Sequence, residues 1–366
     1  MKYNVAVLTP STSNKSETFI ANHINHIPHN ITTVYGGRIP FTTSNTKPSV
    51  ITKIISRLTD PSGWPQSYYR KELKSLLNKK KIDLVFAEYL VVGANVAQVC
   101  KELNIPLIVT ALGYDISMYH VMEEYETAYK RLFTYCDAVI IVSKTMRPKL
   151  EALGCDPDKI IYSPAAPDES FFKLRPTLQS QHVFALGRFV NKKAPHLSLL
   201  AFKEVIKEFP EASFTFAGDG PLMNVVKDLV FALGLENHIQ LPGYITQDEQ
   251  KELLTNSRVF IQHSKTALDG DQEGTPVAIL EASAAGVPVV STYHSGIPEV
   301  IKHSETGFLV DEGDYMSMAK FIKTLLGDIQ LSLSMGKDGK LFVKEHFTLN
   351  KHIEIINNAI TDALTH

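Results

Sequence analysis

Short apolar runs separated by polar turns recur along this chain, and most are followed by a stretch with helical character. From Lys2 the pattern predicts a strand, a polar loop from Thr9 to Lys15, and a helix opening at SETFIANHI with Ser16 as its cap. IDLVFAEYL, IPLIVTAL and DAVIIVS read as successive buried parallel strands, with helices near Ala94 to Leu103 and Lys144 to Leu153. Ser163 to Asp168, rich in proline, reads as a linker. HVFALGRFVNKKAPHLSLLAF, SFTFAGDGPL and HIQLPGYI then begin a second series of strands and helices, and a last helix is expected near Asn350 to Leu364. Strands alternating with helices predict an α/β protein built of two Rossmann-like units.

The stretch from His263 to Val300 carries the candidate chemistry. Thr275 suits an N-cap, Pro276 the first helical position and Gly286 a left-handed exit, which predicts a helix from Pro276 to Ala285. Val277, Leu280 and Ala284 would form its packing face, and Val287, Val289 and Val290 a buried strand after it. Helical side chains tilt toward the N-terminus, so Glu281 leans back toward the loop that carries Glu273. A helix N-terminus attracts an anion, whereas two carboxylates accept hydrogen bonds from hydroxyls. A sugar nucleotide, with a diphosphate between a ribose and a sugar, combines both features.

Composition narrows the setting. At 366 residues the chain is long enough for about two domains. Its net charge of −2 and lack of a basic, aromatic recognition motif argue against nucleic acid as a partner. Cys100, Cys136 and Cys155 have no paired or metal-ligand spacing, so reduced thiols and a cytoplasmic setting are expected, with no export signal and no membrane span. Between Lys53 and Lys81 eight Lys or Arg face two Asp or Glu, with Trp64, Tyr68 and Tyr69 among them. That segment fits either a solvated helix or peripheral contact with an anionic membrane face and a lipid-linked acceptor. The charge divides similarly, 19 basic and 16 acidic residues through Glu169 against 18 and 23 after it. His23, His26 and His29 recur every third residue, but Pro28 interrupts a helix there and solvated or partly buried histidines are expected rather than a metal site.

Glu273 and Glu281, with seven residues between them in EGTPVAILEASAAGVPVVST and followed by SGIPEVI and TGFLV, resemble the signature of family 4 retaining glycosyltransferases. SETFI resembles the subset that makes exopolysaccharide and colanic-acid-type polymers. The resemblance implies a B-type glycosyltransferase fold, two Rossmann-like domains facing across a cleft. Residues 1–167, completed by 349–366, would form the acceptor side and residues 168–348 the nucleotide-sugar donor side. It implies a retaining, metal-independent transfer from a nucleotide diphosphate sugar, a co-substrate with no other cofactor, to a glycan or lipid-linked acceptor. Arg188 and Lys193 match the family's phosphate-binding pair, cations suited to the charge that grows on a leaving diphosphate. Glu273 with the N–H groups of Gly274 and Thr275 would orient the sugar, the helix at Pro276 would face the diphosphate, and Glu281 would bind ribose. Tyr244 and Ile245 would meet the base, and Asp115 would face the donor.

The chain also departs from the family. Leu112 stands where relatives usually carry a donor-contacting histidine, STSNKSE lacks their glycine-rich loop, and Ala194 replaces a usual glycine. His294, in the loop after the following strand, reads as a bystander within reach of the ligand. Paired carboxylates also occur in glycosidases, but a hydrolase of neutral glycans has no use for a diphosphate cradle. A nucleotide-sugar epimerase and a non-catalytic sugar-nucleotide-binding partner remain competing readings of the same residues. Donor, acceptor and oligomeric state are not legible in the sequence.

Overall fold

A computed structural model describes residues 2–10, 18–43 and 66–365. Ser16, Trp64 and the STSNKSE loop, each singled out above, lie outside the described residues. The chain divides into one unit of residues 1–163 with 352–366 and a second of residues 164–351.

The first unit is a parallel sheet of β1 (Asn4–Thr9), β2 (Asn30–Tyr35), β3 (Leu84–Ala87), β4 (Leu107–Ala111), β5 (Ala138–Ile141) and β6 (Ile160–Tyr162), in the order β2-β1-β3-β4-β5-β6 among the described residues. β3, β4 and β5 are buried at every position, as near-continuous apolar runs require when helices cover both faces. Thr9 belongs to β1 rather than to the loop after it. The helix expected from Lys144 to Leu153 is a 3₁₀ turn, Lys144–Met146, running into a shorter helix, Arg147–Ala152, because Pro148 can occupy only a first turn. Cys100, Cys136 and Cys155 are buried free thiols.

The C-terminal helix Leu349–Thr365 is tied to this unit through a buried polar chain. Ser163 Oγ meets His352 Nδ1 at 2.7 Å, His352 Nε2 meets His23 Nε2 at 2.8 Å, and His23 Nδ1 meets Glu88 Oε1 at 2.6 Å. Thr110 donates to the other Glu88 oxygen at 3.0 Å. Each ring can donate to the next group in turn, so the members of this buried chain satisfy one another. His23 is therefore a structural histidine in the core, 2 % exposed.

The second unit has β7 (His182–Leu186), β8 (Ser213–Ala217), β9 (Ile239–Gln240), β10 (Val259–Ile261), β11 (Val289–Thr292) and β12 (Gly307–Val310), all parallel, in the order β12-β11-β10-β7-β8-β9. That is the doubly wound order of nucleotide-binding sheets. Its chain direction reverses between β7 and β10, and open α/β sheets bind ligands at the carboxyl edge of such a pair.

A strand-end site between β7 and β10

The loops leaving β7 and β10 are stitched together at that reversal. Lys192 Nζ donates to Asp271 Oδ1 at 2.9 Å and to the Gln272 carbonyl at 3.0 Å, and the Lys265 N–H donates to the Lys192 carbonyl at 2.8 Å. Lys193 Nζ lies 3.2 Å from Glu273 Oε1. The contact is a charge pair whose alignment fails as a hydrogen bond, so Oε1 is buried with no hydrogen-bond donor among the described residues. Burial alone would push the Glu273 carboxyl up, but Lys193 and then Lys192 outweigh it and hold Glu273 at about 2. Burial pushes the Lys193 ammonium down, an effect opposed by Glu273 and reinforced by Lys192 and Arg188. Arg188 is exposed on the same loop.

Close backbone approach shapes the β7 loop. A Cβ on Gly218 would stand 1.9 Å from the Gly187 carbonyl oxygen, and one on Gly220 would stand 2.7 Å from the Phe189 carbonyl. The Gly218-Asp219-Gly220 turn thus seats the loop that carries Arg188 and Lys193. Ala194 adopts a left-handed φ of 39°, a conformation that favours glycine.

Glu273 is also held through its backbone. Its N–H donates to His294 Nε2 at 3.1 Å, which leaves the His294 proton on Nδ1, facing Glu312 Oε1 at 2.5 Å. Ser295 Oγ donates to the Glu273 carbonyl at 2.5 Å. His294, 1 % exposed, is accordingly a positioning residue rather than a bystander.

The following helix spans Val277–Ala285, and its N-cap is Pro276, not Thr275. Pro276 has an extended ψ of 113° and no side-chain oxygen, so no side-chain cap exists. The N–H groups of Gly274, Val277 and Ala278 have no acceptor among the described residues. Ile279 through Ala285 are buried without exception, so the helix packs on all sides and not by a Val277, Leu280 and Ala284 stripe alone. Glu281 sits in that buried run, 8 % exposed, with Gln250 donating to Oε2 at 2.6 Å. Burial pushes its carboxyl up to about 7. Glu273 and Glu281 have separate neighbours, lysines for one and a glutamine amide for the other.

The sequence gives no sign of Gln250, nor that Lys192 and His294 act by holding the loop and backbone around Glu273. Gln250 lies 31 positions from its partner on another helix, and no local pattern marks it. Of the remaining expected residues, Tyr244 is exposed and Ile245 is half-buried against the unit's core. Asp115, expected to face the donor, is buried within the first unit. Its carboxylate is 0 % exposed and accepts from the N–H groups of Leu90 at 2.9 Å, Leu112 at 3.0 Å and Gly113 at 2.9 Å. Those bonds reach the first N–H of the helix Leu90–Leu103 and close the turn that carries Asp115 itself. Among the described residues no group of three or more His, Cys, Asp or Glu stands where it could hold a metal ion, and no helix is long and apolar enough to cross a membrane.

Comparison with known proteins gives a consistent result. A family model described as Glycosyltransferase Family 4 matches residues 1–168, and one described as Glycosyl transferases group 1 matches residues 167–342. The chain is 34% identical over 247 residues to the amylovoran biosynthesis glycosyltransferase AmsK of Erwinia amylovora, covering 67% of this chain and 61% of that protein. It is 33% identical over 211 residues to WcaL of Escherichia coli (strain K12), named for colanic acid biosynthesis, covering 57% of this chain and 52% of that protein. The chain therefore spans between half and two thirds of the length of these relatives. The structure of Anabaena Alr3699/HepE in complex with UDP and glucose shares the fold, with a TM-score of 0.79 at 17% identity over 98% of this chain and 100% of that one.

Proposed function

The chain belongs to the glycosyltransferases that these two models describe, family 4 through residue 168 and group 1 from residue 167, and from that premise we propose that it transfers a sugar from a nucleotide diphosphate sugar to a hydroxyl of a glycan or lipid-linked acceptor in surface-polysaccharide synthesis. The observation that carries this reading is the Glu273 carboxylate, held ionised beside Lys193 at the sheet reversal with one buried oxygen that lacks a donor among the described residues. A hydroxyl of a bound sugar supplies such a donor. The kinship with AmsK, named for amylovoran biosynthesis, supports a polysaccharide setting, and the fold shared with a UDP complex supports a nucleotide diphosphate donor.

In this reading Arg188, Lys193 and the open N–H groups at the start of the helix Val277–Ala285 neutralise the diphosphate as the sugar leaves, without a metal. Gly274 and Thr275 orient the sugar together with Glu273. Glu281 accepts from the ribose hydroxyls, and the Tyr244 and Ile245 backbone meets the base. Retention of anomeric configuration is part of the proposal, with a phosphate oxygen of the leaving group taking the acceptor's proton.

A thermal-shift series against UDP, GDP, ADP and CMP tests it. A ligand that binds only the folded chain raises the melting temperature by mass action, so one nucleoside diphosphate should shift it, and Arg188→Ala should reduce the shift. Absence of a shift with every nucleotide, for folded protein, would sink the reading.

A further inference from the structure

The first unit holds a groove of about 540 Å³ that contains none of the residues assigned above to the donor. Three helices form it, Gln66–Lys79, Leu90–Leu103 and Tyr119–Tyr135, with the turn after β2 at one end. Its charged lining is uneven, with Arg38, Arg70, Lys101 and Arg131 against Glu124 alone. Glu124 is already paired with Arg38. Arg70, Lys101 and Arg131 enter no ion pair among the described residues, and the Arg70 Nε is buried without an acceptor. Nearby carboxylates are engaged elsewhere, Glu102 with Lys74 at 2.9 Å and Glu126 with Lys130 at 2.6 Å. Tyr69, Tyr125 and Tyr135 also line it.

Three cations that line one concavity without a carboxylate partner favour an anion among them. Two of the three are guanidinium groups, whose planar forks match phosphate oxygens, and the volume falls in the range of small-molecule sites rather than of macromolecular surfaces. We propose that this groove is a binding site for a phosphate ester, with Arg70, Lys101 and Arg131 on its oxygens and the tyrosine rings beside the group it esterifies. A soluble phosphorylated sugar and the headgroup of an anionic lipid share this chemistry. The site lies wholly within the first unit and is independent of the donor-site reading.

Calorimetric titration of the full chain with inorganic pyrophosphate, in an Arg188→Ala background that weakens the proposed donor site, reads the soluble arm. Co-sedimentation with phosphatidylcholine vesicles carrying phosphatidic acid reads the lipid arm. The triple variant Arg70→Gln, Lys101→Gln, Arg131→Gln is compared with Lys79→Gln, Lys80→Gln, Lys81→Gln, which removes equal charge at exposed positions outside the groove. Groove substitution should weaken binding about tenfold or more beyond the control, the effect of losing at least one charge-assisted bond. Such a loss with pyrophosphate assigns a soluble ester, and a loss confined to vesicles assigns a lipid headgroup. If the folded groove variant matches the control in both arms, the proposal is overturned, whatever the nucleotide series shows.

Discussion

Both units carry carboxylates near the carboxyl ends of their parallel strands, and the two sets meet opposite environments. Glu88 and Asp115 in the first unit are 0 % exposed, and their oxygens are met by Thr110, His23 and three backbone N–H groups. Glu273 and Glu281 in the second unit are 7 % and 8 % exposed, and Glu273 Oε1 has no hydrogen-bond donor among the described residues. A carboxylate whose lone pairs are filled by its own fold stabilises that fold. One held ionised by a lysine with an oxygen to spare can serve a ligand. The same residue type at the same kind of position thus meets two environments, and the hydrogen-bond inventory tells them apart.

The sharpest way to break this contrast is to exchange the expected outcomes. Asp115→Ala orphans three backbone N–H groups, so it should destabilise the chain by about 3–5 kcal/mol in chemical denaturation. A loss below about 1 kcal/mol would mean that the capping bonds carry little. Glu273→Gln should leave the fold largely intact while lowering transfer by on the order of 10²–10³, about 3–4 kcal/mol in the transition state. Wild-type turnover of that variant, measured with donor and acceptor, would remove the carboxylate from the reaction.

Within the second unit the two glutamates should pull in opposite directions with pH. Glu281 is raised in the folded chain from 4.5 to about 7, so its contribution is fully present below 4.5 and is lost as pH rises through 7. Glu273 is lowered to about 2, so its contribution is present above 4.5 and is lost as pH falls toward 2. Melting curves should therefore show wild type losing about 1–3 kcal/mol relative to Glu281→Gln between roughly pH 5 and pH 8. Parallel curves would show that Gln250 and nearby water keep Glu281 close to its ordinary value. The smallest effect is expected at Ala194, where glycine should relieve the left-handed φ and stabilise the chain by about 0.5–1 kcal/mol, read as a higher melting temperature. A loss on Ala194→Gly would mean that the buried methyl matters more than the backbone.

How much of the site was legible depended on range. Glu273, Glu281, Arg188 and Lys193 stand in short segments whose caps, turns and apolar strand can be recognised locally. The backbone bonds of Asp115 are not legible in the sequence because its partners lie in two segments, with Leu90 25 positions away. The helix Val277–Ala285 was placed within one residue, but its burial on every side was not foreseen. A run of Ala, Ser and Leu has no polar stripe to mark a solvent face, and only its neighbours decide that no face is exposed.

From the sequence alone came the α/β class, the strand segments and the pairing of a helix start with two glutamates, since periodicity and capping act over a few residues. Tertiary structure alone decided which histidines, carboxylates and lysines became structural and which stayed available. His23 reached Glu88 and His352, His294 reached Glu273, and Gln250 reached Glu281 across 21 to 329 positions of chain. Such contacts are set by how sheets and helices stack. No local propensity encodes them, and burial then shifts each group's protonation according to the partners it meets.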